Sequence, residues 1–105
     1  QLAHAGRKSS VQVSWKGGEQ LTPETGGWKT VAPSAVAFKD GDPVPEELSI
    51  TEVRRIVDNF KTAAMRALKA GFKVIELHGA HGYLIHEFLS YFSYFNFSSL
   101  DLPSL

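Results

Sequence analysis

Residues 72–78, FKVIELH, set a carboxylate and an imidazole on one face of a segment whose other face is aliphatic. Extended backbone sends successive side chains to opposite sides, so Val74, Glu76 and His78 share one side and Ile75 and Leu77 the other. A strand with one wet face would bury its apolar side and expose its polar side. Here the aliphatic side suits packing under helices, and the polar side suits the interior, where the strand runs out into a site. A parallel barrel strand has this requirement, because its reactive groups collect at the C-terminal mouth. His78 is the last residue before Gly79 and so sits at that rim. The turn that follows, GAHGY, carries His81 and Tyr83 as well.

The preceding segment predicts a helix over 49–70. Ser49-Ile50-Thr51-Glu52 fits a capping box, in which the serine hydroxyl and the glutamate side chain satisfy each other's main-chain N–H. Val53, Ile56, Val57, Phe60, Ala64 and Leu68 then recur at three- and four-residue spacing. Arg54, Arg55, Asp58, Lys61 and Lys69 take the opposite side, and Gly71 stands where a left-handed cap ends a helix. Residues 1–5, QLAHA, read as the end of an earlier strand. The order is therefore strand, loop, helix, strand, and a crossover helix makes the two strands parallel. The helix stripe is expected to pack on the sheet they form.

Between them, Arg7 and Lys8 read as solvated charges on an exit loop. Residues 11–47 hold Gly17-Gly18, Pro23, Gly26-Gly27, Pro33, Gly41, Pro43 and Pro45 without a sustained period, which predicts loop with short extended pieces at 11–15 and 31–38. So long a connection is functional or disordered; its apolar content argues for a loop packed on the body, anchored by Trp15 and Trp28. Residues 83–89 suit a short helix. Residues 91–105 are aromatic and serine-rich with Asp101 as their one charge, and are expected to form a divergent, poorly ordered tail.

Eleven basic and eleven acidic residues leave no net charge, which gives no reason to expect nucleic acid or an anionic membrane as partner. No apolar run reaches the roughly 18 residues of a spanning helix. The lack of cysteine removes disulfides, thiol nucleophiles and thiolate metal sites together. The first residues do not read as the basic-then-apolar pattern of a signal peptide. With no initiating methionine, and a first residue that already reads as strand, the chain is expected to be a piece of something longer.

On these residues the chain resembles the old yellow enzyme family, the FMN-dependent ene-reductases known as NADPH dehydrogenases or NADH:flavin oxidoreductases. The resemblance rests on QLAHAGRK at 1–8, VAPSAVAF at 31–38, LSITEVRRIVDNFKTAAMRALKAGF at 48–72 and VIELHGAHGYLIHEFLS at 74–90. It implies an α/β fold, part of a (β/α)₈ TIM barrel with residues 1–90 as the partial oxidoreductase domain. Such a barrel takes about 250 residues, so roughly two fifths of one is present, at the third and fourth strands. Two strands alone would leave Ile75, Leu77 and the helix stripe partly exposed. Where the family continues with proline and an Asn-x-Arg-x-Asp-x-Tyr-Gly-Gly motif, this chain has Tyr91 and an unrelated tail.

The resemblance implies a cytoplasmic enzyme that takes NADPH or NADH as reductant and a small activated alkene as substrate. Gln1 would hydrogen-bond the pyrimidine edge of FMN. His78 and His81 would grip the carbonyl or nitro oxygen of the substrate, and Tyr83 would protonate the carbon opposite the one receiving hydride. Lys8, Ala32, Pro33 and Ser34 would lie near the site. Two N–H donors on one oxygen stabilise the charge that builds there, and a tyrosine stays protonated at neutral pH. Two other readings stand beside this one. The chain is a truncated product that binds no flavin, or His78, His81 and His86, with Glu76 or Glu87, hold zinc.

Overall fold

The computed structural model describes residues 1–90. Its longest element is helix α1, Ile50–Lys69. The Ser49 hydroxyl accepts the Glu52 N–H at 3.3 Å, and the Glu52 carboxylate accepts the Ser49 N–H at 2.8 Å. Gly71 takes φ +98°. Its N–H donates to the Leu68 carbonyl at 3.0 Å and the Phe72 N–H to the Ala67 carbonyl at 3.2 Å, the bond pair of a Schellman turn. The helix expected over 49–70 is present, with its outermost residues serving as caps.

The chain ends of the crossover pair are parallel, as expected. The Leu2 N–H donates to the Glu76 carbonyl and the His78 N–H to the Leu2 carbonyl, both at 2.8 Å, setting Leu2 opposite Leu77. The pairing stops at that bridge, so the full strand expected over 72–78 is corrected to an extended segment pinned near its end. A strand needs a ladder to define it, and the residues before Glu76 have no neighbouring strand to supply one among the described residues.

A second parallel pair joins β1, Val31–Ala32, to β2, Glu46–Glu47, with Val31 opposite Glu46. The extended piece expected over 31–38 is thus two residues long. Pro33 has no N–H with which to continue a ladder, and the chain bends there. Likewise Val11 bridges Gln20 in antiparallel fashion, and Ser14–Lys16 then closes into a 3₁₀ turn rather than extending. Further 3₁₀ turns lie at Gly6–Lys8 and Pro23–Thr25. A short helix, α2, runs Leu84–Leu89 after the Tyr83 cap.

The buried apolar core among the described residues is Ala32, Leu48 and Leu84. No residue of α1 is fully buried. Its stripe meets the rest of the chain loosely, across two crevices, the partial exposure expected of a fragment with two strands. One of about 460 Å³ lies between Leu2, Leu48, Ile56 and Phe60. The other, about 230 Å³, lies between Phe60, Leu77, Leu84 and Phe88. Val57 and Leu77 stay 61% and 58% exposed, the outcome expected when two strands must serve a helix face that a complete sheet would cover. Trp15 and Trp28 do not anchor the loop: they are 81% and 59% exposed. Main-chain bonds to Ser10 hold the loop instead. The Ser10 carbonyl accepts the Leu21 N–H at 2.6 Å, and its hydroxyl accepts the Trp28 N–H at 2.9 Å. No helix among the described residues is long and apolar enough to cross a membrane. The tail at 91–105 lies outside them.

Candidate active site

The Leu2–Leu77 bridge sets the ends of the two strands level, and this brings Gln1 beside Glu76. The Gln1 amide donates to the Glu76 carboxylate. One residue past the bridge, the chain leaves His78 through Gly79 and Ala80, and the Tyr83 N–H closes a turn on the Ala80 carbonyl at 3.1 Å. His81 has φ +58° and Gly82 φ +68°. Two successive left-handed residues fold the turn back, so that the His81 ring returns to His78. The Gly82 N–H is held by His86 Nδ1 at 2.9 Å, and the Leu84 N–H by the His4 carbonyl at 2.8 Å, which docks the start of α2 onto the N-terminal segment.

The result is a cluster of three rings. His78 Nε2 and His81 Nδ1 are 3.2 Å apart, in hydrogen-bond contact. The Tyr83 ring meets His78 edge-on at 5.0 Å between centroids and 77°. His78, His81 and Tyr83, chosen from the sequence, are therefore brought together, while Gln1 is held by Glu76, two residues before His78. Beside them a cavity of about 390 Å³ is bordered by Lys8, Phe38, Lys39, His81 and Tyr83. Ser34 is buried on the far side of Arg7, whose Nη2 donates to its hydroxyl at 3.4 Å.

The zinc alternative finds no support in this arrangement. Among the described residues no three His, Asp or Glu side chains come together as a ligand set. His86 spends Nδ1 on the Gly82 N–H, and Glu87 points to Arg7.

Arg7 and Lys8 are not solvated loop charges. The Glu87 carboxylate is buried, accepts the Arg7 N–H at 3.0 Å and lies 3.6 Å from its guanidinium Nε. Burial raises the Glu87 carboxyl above its ordinary range, against the pull of the Arg7 N–H and guanidinium and of Lys8. Lys8 Nζ donates to the His81 carbonyl at 2.8 Å and sits 4.4 Å above the Phe38 ring. The sequence held one signal for this: Leu84 and Glu87 fall on the same side of a short helix at i, i+3, which puts a carboxylate where an apolar residue belongs. His4 is a further residue that sequence reasoning passed over. Its Nδ1 accepts the Gly6 N–H at 3.0 Å, and burial holds its imidazole below the ordinary 6.5.

A flavin ring edge presents both N–H and carbonyl groups, and a glutamine amide offers an acceptor and donors to match. Gln1, exposed and level with the histidines' strand, is suited to it.

The NADH:flavin oxidoreductase / NADH oxidase family matches residues 1–96. An NADH:flavin oxidoreductase of Gibberella zeae is 47% identical over 94 residues, covering 86% of this chain and 23% of the relative. An NADPH dehydrogenase of Bacillus subtilis is 48% identical over 90 residues, covering 86% and 22%. One from Listeria monocytogenes is 45% identical over 89 residues, covering 85% and 25%. The chain thus spans about a quarter of the length of these relatives. With the match extending over nearly the whole chain and through the His78–Tyr83 turn, the chain belongs to the NADH:flavin oxidoreductase / NADH oxidase family, the FMN-dependent old yellow enzymes.

Proposed function

We propose that this chain supplies the substrate-oxygen clamp and one flavin contact of a cytoplasmic NAD(P)H-dependent reductase of activated alkenes, such as enones and nitroalkenes. Its two parallel segments and α1 would be the third and fourth strands of a (β/α)₈ barrel and the helix between them. The observation that carries the reading is the 3.2 Å approach of the His78 and His81 imidazoles, with Tyr83 against the first.

A neutral imidazole has one N–H, so in the mutual bond one histidine spends its donor on the other. A substrate oxygen that gains negative charge is a stronger acceptor than an imidazole nitrogen and draws donors from both rings. Gln1 would hold the pyrimidine edge of FMN, and the bound flavin would supply hydride chemistry with NADPH or NADH as reductant. The Tyr83 hydroxyl, an O–H donor beside the His78 ring, delivers the proton that completes saturation of the alkene.

The test is a chimeric barrel in which residues 1–90 replace the matching quarter of the Bacillus subtilis NADPH dehydrogenase. His78→Ala or His81→Ala should weaken binding of a phenol by about 1–3 kcal/mol, the cost of an acceptor left without its donor. Alkene reduction should slow likewise, with reduction of the flavin by nicotinamide less affected. Unchanged oxidative kinetics in stopped flow would refute the clamp.

A further inference from the structure

We infer that Lys8 and Glu87 are positioning residues for the imidazole pair: Glu87 fixes the Gly6–Lys8 turn, and that turn aims Lys8 at the main chain of His81. The inference rests on reading His78 and His81 as the substrate clamp.

His81 is a residue with a side chain in the left-handed region, at φ +58°. Such a conformation persists where its surroundings over-determine it. Lys8 supplies the restraint, since its ammonium donates to the His81 carbonyl at 2.8 Å, a charge-assisted bond. Gly82 leaves that ammonium room, since a Cβ there would lie 3.1 Å from Nζ. Phe38 holds the lysine from its other side at 4.4 Å. Lys8 touches the His81 main chain rather than its ring, so it acts on the clamp through the backbone and leaves both imidazoles open to a ligand.

Lys8 can aim only if its own turn is fixed. Its N–H closes that turn on the Ala5 carbonyl at 3.1 Å. The buried Glu87 carboxylate takes the Arg7 N–H at 3.0 Å and the guanidinium at 3.6 Å, and Gly6 leaves the space it fills. Gln20 Nε2 grips the Arg7 carbonyl at 2.7 Å from the opposite side. A continuous set of bonds therefore runs from Glu87 through the turn and Lys8 to His81, and on to His78.

The test uses the same FMN-loaded chimera with Lys8→Met, Lys8→Arg, Glu87→Ala and the double variant. Two readouts are followed: the Kd of para-hydroxybenzaldehyde, and the ring NMR signals of labelled histidines in the absence of phenol. Lys8→Met should weaken the phenol by about five- to tenfold, as expected for one lost charge-assisted bond. It should shift or broaden the His81 and His78 ring signals and leave those of the FMN unchanged. Lys8→Arg should restore binding to within about twofold, and Lys8→Met should add nothing in the Glu87→Ala background, because the two act through one path. Unaltered Kd and histidine signals in Lys8→Met, or effects of the two variants that multiply, would overturn the inference. If Glu87→Ala does not fold, Lys8→Met decides alone, since it removes an ammonium from a partly exposed position and keeps the apolar stem. A chimera that binds no phenol sinks the clamp reading, and the histidine signals then decide the positioning separately.

Discussion

The Glu87 carboxylate accepts the main-chain N–H of Arg7 at 3.0 Å from a position 80 residues along the chain. This contact ties α2 to the 3₁₀ turn at Gly6–Lys8, with the Glu87 side buried and the Arg7 side partly so. Glu87→Ala would take the carboxylate from the Arg7 N–H and Nε, leaving Ser34 on Nη2, at a cost of about 1–3 kcal/mol. Glu87→Gln keeps an acceptor for the N–H and should cost about 1 kcal/mol or less at pH 7. Urea unfolding of the three proteins checks the order.

The same carboxyl has a pH signature. Burial raises its folded value above the ordinary one, so between the two values the folded chain binds more proton than the unfolded chain. The contribution of Glu87 is therefore full below the ordinary carboxylate range and is lost as pH rises through the raised value. Glu87→Gln should remove that part of the slope of stability against pH.

His4 titrates with the opposite sign. Its folded value lies below 6.5, so below 6.5 the unfolded chain takes a proton that the folded chain resists. Stability should fall as pH drops from 7 through 6.5 and towards the lowered value, where protonation also breaks the bond from the Gly6 N–H. His4→Asn keeps an oxygen acceptor near the Nδ1 position and should flatten this slope. A slope unchanged in His4→Asn would assign the effect to another group.

Two glycines separate backbone strain from steric exclusion. Gly71 has φ +98° and open space around a built Cβ, so Gly71→Ala should cost about 1–2 kcal/mol from the left-handed conformation alone. Gly6 has φ +58° and a Cβ there would overlap the Glu87 carboxylate. Gly6→Ala should therefore cost more than Gly71→Ala, because it also displaces the buried ion pair. Equal losses in denaturant unfolding would show that Glu87 moves aside freely.

What could be read beforehand follows the range of the interactions. The α1 caps were legible because Ser49, Glu52 and Gly71 act within four residues of the helix ends. The parallel direction of the two chain ends followed from the crossover, though not their Leu2–Leu77 register, and the closeness of His78, His81 and Tyr83 followed from a turn of six residues. The β1–β2 pair was not legible, since Val31–Ala32 and Glu46–Glu47 are too short to show a period. Nor was the role of Arg7 and Lys8, whose partners Glu87 and His81 lie more than 70 residues away. Charges on a glycine-bounded turn look solvated until the fold brings a buried carboxylate to them. The partial exposure of the α1 stripe was legible from the strand count: periodicity shows which face turns inward, and two strands are too few to cover it.

The balance between Leu84 and Phe60 tests that last point. By side-chain size Phe60 should matter more, and full burial would make Phe60→Ala cost about 3–5 kcal/mol. In this chain, however, Phe60 borders both crevices and is only half-buried, while Leu84 is 2% exposed and helps seal the contact of α2 with the N-terminal segment. Truncation costs scale with the contacts removed and with the cavity left, not with the formula of the side chain. Leu84→Ala should therefore cost about 2–4 kcal/mol and Phe60→Ala about 1–2 kcal/mol in the 105-residue chain, measured by urea unfolding. In the chimeric barrel, where further strands cover the helix stripe, the loss at Phe60 should rise to equal or exceed that at Leu84. The same ranking in both proteins would mean that α1 already has its full packing in the chain alone, contrary to the two open crevices.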